Sequence, residues 1–299
     1  KAPNPEQSPL TGLEYVYMDP SGRTDMKPST PNYKPINHIT GVLANTLRPI
    51  FSPIRQMVRI IVLLQQIYDQ ITGIWLLHST PQFPFRRNQE EFWPNSGTKN
   101  AQTFICVTFP YSSFADIGNQ LRSKNTRTRL NSFPFEHDLP DHFHQLLKDA
   151  VKWTQVPPSN NFKTLTSSGG QSFHSIAKQQ SEQVRDLYVT IAELVSSSLA
   201  VQSWRCQKNR APSYCVLNRH KVLNVNSIKT GLGEWKTSKD HSKWCVAQDQ
   251  NKAWTCIADV NRAETQYKRR GGASCSCNKY SKYCQTWSHC LLQTQKPIH

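Results

Sequence analysis

The sequence predicts an α/β chain of the α+β kind, with similar strand clusters in its two halves and helices between them. Three observations predict it. β-Branched and aromatic-rich runs cluster twice, once between residues 57 and 110 and again beyond residue 220. Two stretches with helical spacing separate the clusters. The segments GIWLLHSTPQ and KAWTCIADVN, one in each cluster, both carry a Trp (Trp75, Trp254), an alternating strand and a primary amide seven residues on (Gln82, Asn261). An internal duplication accounts for this order, with one half expected over residues 1–135 and the other over 136–299.

Each element has its own justification. Residues 1–53 are rich in Pro, Asn, Ser and Thr and read as loops and edge strands. The run MVRIIVLL (57–64) is far short of the ~20 apolar residues that cross a bilayer and reads as a buried strand. RIIVLLQQIYD, GIWLLHS and TFICVTFPY continue the β signal. LRSKNTRTRL (121–130) then places four cations in ten residues with no acid. PDHFHQLLKDAVKW predicts a helix with Asp141 as its N-cap, and a second helix is expected from about residue 172 to 198. The TLTSSGG turn before it would cap that helix or offer backbone N–H groups to an anion. KVLNVNSIK, SKWCVA and WTCIADVN restore the strand pattern.

Charge narrows the partners. With 36 Lys+Arg against 20 Asp+Glu, the formal net charge is +16, which points to a polyanion: nucleic acid, sulfated glycan or anionic lipid. Six of the nine cysteines stand at or beyond Cys245, but no CxxC pair occurs, so disulfides are favoured over a zinc site. His142 and His144 are two apart on an expected helix, where they diverge rather than share a metal. No metal or other cofactor is expected. The sequence begins with Lys and shows no apolar signal segment, and a processed or incomplete secreted protein is the expectation.

The chemistry concentrates in DHSKWC. On an extended strand His241 and Lys243 face the same side, so an imidazole can attack or protonate at a phosphorus that the ammonium holds. Asn226 and Asn261 can donate to the same phosphate, and the KRRGG run with Arg269 and Arg270 is a natural polyanion contact. The plain alternative is a solvated surface strand. Attack and leaving-group protonation take place on opposite sides of phosphorus, so one imidazole cannot serve both in one step. A second copy is needed, and the duplication would place it near residues 61–64, which read IVLL.

The segments KVLNVNSI, DHSKWCV, WTCIADVNR and RGGASC closely resemble the carboxy-terminal half of the deoxyribonuclease II family. LEYVYMD, INHITGVLANTLRPIF, GIWLLHSTPQFP, FICVTFPY and TLTSSGGQSFHSIAKQQ extend the resemblance in the family's order over nearly the whole chain. The resemblance implies a phospholipase D-like fold, a pseudo-dimer in which each half sets a mixed β-sheet against helices and gives one HxK motif to a shared cleft. It also implies a secreted or lysosomal, metal-independent acid endonuclease that leaves 3′-phosphate ends through a phosphohistidine. By the same resemblance His241 and Lys243 match the second HxK, with Asn226, Asp259 and Asn261 on its flanking strands. His78 matches the histidine of the WLxHSxPxFP segment, and Arg262, Arg269 and Arg270 are candidates for DNA phosphates. Cys256 and Cys275 match one family disulfide, and Cys215 another, whose partner would be Cys284 or Cys290. Cys106 is left over.

The first HxK is the departure. Anchoring the family pattern on Asp69 and Trp75 puts Ile61 and Leu63 where the His and Lys belong, and a gapped alternative puts Met57 and Arg59 there. Losing an acid–base imidazole costs roughly 10²–10⁴ in rate, and losing an essential nucleophile about 10⁶. The expectation is therefore a DNA- or polyanion-binding protein whose nuclease activity is lost or strongly impaired. The alternatives are an active acid endonuclease, with His78 or a second chain of a homodimer supplying the missing imidazole, and a glycan-binding secreted effector.

Overall fold

The computed structural model describes residues 1–4, 10–18, 27–51, 62–67, 70–86, 88–113, 116–117, 119–120, 162–178, 186–277 and 293–294. Two sheets organise them. A three-stranded antiparallel sheet runs β1 (Val62–Ile67), β2 (Gln70–His78) and β3 (Phe104–Pro110). Helix α1 (Val42–Phe51) lies before it and the short α2 (Ser96–Lys99) before β3. The larger sheet has nine strands: β4 (Phe162–Thr166), β5 (Ser172–Lys178), β6 (Leu199–Gln202), β7 (Val222–Thr230), β8 (Gly233–Lys236), β9 (Trp244–Ala247), β10 (Trp254–Ala258), β11 (Gly271–Cys277) and β12 (Gln293–Thr294). Their order is β12-β7-β6-β9-β10-β11-β5-β4, with β8 beside β7, and only β6 and β7 are parallel. Helices α3 (Leu187–Leu194) and α4 (Glu264–Tyr267) complete a mixed α+β chain in which sheet dominates.

The large sheet buries both faces. Tyr188, Ile191 and Ala192 of α3 pack on one face against Ile176, Val201, Cys245, Cys256 and Cys275. Asp186 starts that helix by accepting the backbone N–H of Tyr188 at 3.0 Å, which satisfies an otherwise orphaned donor. Alternate residues turn to the opposite face, where Ala200, Trp244, Val246 and Ile257 meet Ile105 of β3. Phe109 of β3 meets Phe173 of β5 edge-to-face at 5.9 Å. Each fully buried side chain of this size contributes about 1.5–3 kcal/mol. Cys256 and Cys275 are directly opposed on β10 and β11 and form a disulfide, while Cys245 stands in the same row as a buried thiol.

Three local expectations change. Residues 172–198 are not one helix: Ser172–Lys178 is β5, His174 is a strand residue, and among the described residues of the stretch only Leu187–Leu194 is helical. β5 lies between its hairpin partner β4 and the distant β11, and pairing on both edges overrides its helical spacing. TLTSSGG is instead the hairpin between β4 and β5, closed by the Ser167 N–H to Gln171 carbonyl bond at 2.9 Å. Gly170 takes the left-handed conformation there, at φ +79°. Finally, residues 1–53 hold a true helix, α1. Its Leu43, Ala44, Leu47 and Phe51 form one stripe against Tyr15, Ile36, Phe83 and Phe92, and the polar composition around it hid that stripe. The helix expected from Asp141, the charged run 121–130 and residues Met57, Arg59 and Ile61 lie outside the described residues.

Candidate active site around His241 and Lys243

The DHSKW segment lies between a 3₁₀ turn (Thr237–Lys239) and β9. Its alternation does the positioning. Asp240, Ser242 and Trp244 point inward, each no more than 2 % exposed, so His241 and Lys243 are turned to the other side and are half-buried. The Asp240 carboxylate holds the inward side together. One oxygen accepts the Ser242 N–H at 2.7 Å and its hydroxyl, and the other accepts the Trp235 indole N–H at 2.9 Å. The Trp244 indole in turn donates to the Ser242 hydroxyl at 3.1 Å. A backbone bond from His241 N–H to the Ala101 carbonyl, 2.9 Å, ties the segment to the loop before β3.

Both side chains carry shifted basicities with physical causes. Burial, then the charges of Lys243 and Lys1, lowers the His241 imidazole to about 4, so the ring is neutral at mildly acid pH. Burial also lowers Lys243 to about 8, against the pull of Asp259 and Asp240, so its ammonium is charged there. That ammonium donates to the His241 carbonyl at 2.7 Å, which holds the cation next to the ring. Asp259 is exposed and accepts the Gly272 N–H at 2.7 Å. A Cβ at Gly271 would stand 2.6 Å from the Asp259 carboxylate and 2.5 Å from a Val260 methyl, so a larger residue there would have to displace one of them.

The other singled-out residues divide. His78 ends β2 in an aromatic cage, stacked on Phe104 at 5.9 Å and edge-on to Phe83 at 5.0 Å. Burial lowers it to about 4; the Thr80 backbone opposes this in part, and the Lys243 charge lowers it further. Its Nδ1 is buried and makes no hydrogen bond of normal geometry. The two histidines therefore share the field of one lysine. Asn261 is buried, and its side-chain oxygen accepts the Trp204 backbone N–H at 3.1 Å. Arg262 does not face solvent: its guanidinium is 1 % exposed and is taken up by Asp186 (2.7 and 2.9 Å) and Asn224 (2.7 Å). This reassigns it from a phosphate contact to an internal ion pair. Asn226 is half-buried on β7, while Asn224, two residues earlier, makes the buried contacts. Arg269 is exposed and Arg270 half-buried on the turn entering β11, a turn whose Tyr267 and Arg269 carbonyls accept from the buried Lys178 ammonium. Cys215 makes no disulfide among the described residues, and Cys284 and Cys290 lie outside them.

A neutral imidazole beside a held ammonium suits a phosphodiester, and the comparisons with known proteins agree on the class. The family model described as Deoxyribonuclease II matches residues 60–290, which include the whole site. The chain belongs to the deoxyribonuclease II family. Deoxyribonuclease-2-beta of Homo sapiens is 30% identical over 299 residues, covering 91% of this chain and 80% of that protein. Deoxyribonuclease-2-alpha of Sus scrofa is 33% identical over 294 residues, covering 89% and 77%. Plancitoxin-1 of Acanthaster planci is 35% identical over 217 residues, covering 70% and 58%. For a deoxyribonuclease II family chain, the residues that sequence reasoning missed are those behind the motif: Asp240 as a brace, Asn224 as the partner of Arg262, and Trp204. The brace had a signal, since Asp240, Ser242 and Trp244 alternate with His241 and Lys243 in a single stretch. Trp204 had none.

Proposed function

We propose that this chain is a secreted or lysosomal deoxyribonuclease II-like protein that binds DNA phosphates at His241 and Lys243, with phosphodiester cleavage lost or strongly impaired. One observation carries the reading: Lys243, charged at acid pH, is fixed 2.7 Å from the His241 carbonyl, beside an imidazole that is neutral at the same pH. That pair can hold and attack a phosphate, but a neutral imidazole cannot also protonate the leaving oxygen from the far side. The positions where the first HxK would fall carry Ile61 and Leu63, or Met57 and Arg59, in the sequence. The exposed Arg269 and half-buried Arg270 are further contacts for the backbone of the same DNA.

The test joins duplex binding with plasmid nicking in EDTA at about pH 5. Binding is expected to weaken steeply with salt, and Lys243→Ala to reduce the salt slope by about one. Nicking is expected to stay near background. Turnover abolished by His241→Ala would overturn the impairment. Heparin is the competitor that separates a DNA preference from general polyanion binding.

A second reading has its own support. His78 lies within the field of Lys243 and keeps an unpartnered Nδ1, so it can act as the second imidazole once a bound phosphate raises its basicity. In that case nicking is measurable, and His78→Ala removes it along with His241→Ala.

A further inference from the structure

The His241 ring touches one large side chain that neither the HxK motif nor its charges explain. Trp204 lies edge-to-face against it, with ring centroids 4.7 Å apart and planes at 70°. β6 runs antiparallel to β9 with Gln202 opposite Trp244. Trp204 follows two residues past the end of β6, where the regular pairing has stopped and its indole is turned to the His241 side.

The indole is also held from two directions. Its Nε1–H donates to the Ser238 carbonyl at 3.0 Å, in the turn just before the motif. Its backbone N–H donates to the Asn261 side-chain oxygen at 3.1 Å. The preceding residue is tied to the same loop, since the Ser203 hydroxyl accepts the Arg262 N–H at 3.2 Å. Arg262 is itself locked by Asp186 and Asn224. Trp204 thus hangs from the buried ion pair of the large sheet and presses on the imidazole from a fixed side. A half-exposed Trp free to turn would give no such constraint.

We propose that Trp204 is the positioning residue for His241, fixing the plane of its imidazole and shielding one side of it from water, and that Asn261 holds Trp204 in place. The proposal rests on the reading of His241 as the phosphate-facing group. It gives Asn261 an indirect role, through the indole rather than on the phosphate itself. The charges acting on the ring are Lys243 from the approach to β9 and Lys1 from the amino-terminal segment, and Lys243 is itself drawn on by Asp259 at the end of β10 and by Asp240. With Trp204 gone, the two lysines still oppose protonation, so His241 should regain only part of its ordinary basicity.

The experiment is an NMR titration of the His241 ring in the ligand-free full chain, with the His174 ring on β5 as an internal control. Trp204→Ala is expected to move the His241 midpoint up by about one pH unit or more, because burial is the first cause of its depression. Trp204→Phe, which restores an aromatic ring, should stay near the wild type, and Asn261→Ala should fall between. An unchanged His241 midpoint in Trp204→Ala overturns the proposal, as does an equal shift of His174, which would mean general loosening. Should Trp204→Ala fail to fold, Asn261→Ala decides in its place, and a wild-type midpoint there overturns the proposal. Loss of DNA binding by the wild type would instead remove the functional reading and leave the titration result standing.

Discussion

His241 stands at the head of β9 on a backbone braced from behind, whereas His78 ends β2 inside a cage of phenylalanines. Both imidazoles are lowered to about 4, chiefly by burial. The surroundings differ in kind. Behind His241 the Asp240 carboxylate, the Ser242 hydroxyl and two indoles form a closed hydrogen-bond set, and Lys243 adds a held cation. Around His78 stand phenylalanine rings, among the described residues the Thr80 backbone is the one polar group bearing on it at close range, and Nδ1 makes no hydrogen bond of normal geometry. The comparison teaches that a depressed histidine is not by itself a prepared one. Preparation lies in the polar scaffold that fixes where the ring points and which charge stands beside it.

The largest effect should come from the support of the His241 side. Asp186→Ala leaves the Arg262 guanidinium buried without its carboxylate and also removes the cap of α3. The expected cost is about 3–5 kcal/mol in denaturant unfolding, with the His241 region released first in hydrogen exchange. A loss below about 1 kcal/mol would mean that the two histidine regions do not differ in how they are anchored.

An intermediate effect follows from pH. Each ring has an ordinary value of 6.5 and a folded value of about 4, so the native state binds fewer protons than the unfolded chain between those limits. The contribution is complete above 6.5 and is lost as pH falls toward 4. For His78 it amounts to at most about 3 kcal/mol; for the half-exposed His241 it is less, because solvent screens it. A short oligonucleotide should flatten this acid limb, since phosphate favours the charged imidazole at His241. Thermal melts from neutral to acid pH, with and without DNA, check both statements, and an acid limb indifferent to DNA would separate His241 from any phosphate.

The smallest effect isolates the cage. His78→Leu removes a buried polar atom with no partner and should be neutral or stabilising by up to about 1 kcal/mol at neutral pH, with a shallower acid limb. DNA affinity is expected to stay unchanged if His241 alone meets the phosphate. A fall in affinity with normal stability would move His78 into the site.

Much of this was legible along the chain, and unevenly. The HxK pair was readable because two residues on one extended stretch share a side whatever lies around them, and the Cys256–Cys275 disulfide was implied by the family pattern. Asn224 and Asn226 could not be told apart, since both fit a strand and only the approach of Arg262 chooses between them. Arg262 looked like a phosphate contact because charge in a sequence carries no direction. β5 was read as helix because its spacing allows one, and the choice fell to β4 and β11 on its two sides.

By itself the sequence determined the mixed sheet-rich class, the family and the position of one imidazole–ammonium pair. Those depend on local period and on motif residues a few places apart. The tertiary structure alone decided what stands behind the pair: Trp204 on the ring, Asn261 on Trp204, and Asp186 on Arg262. Such contacts join residues tens of positions apart, and they exist only once strand pairing has fixed which side chains meet.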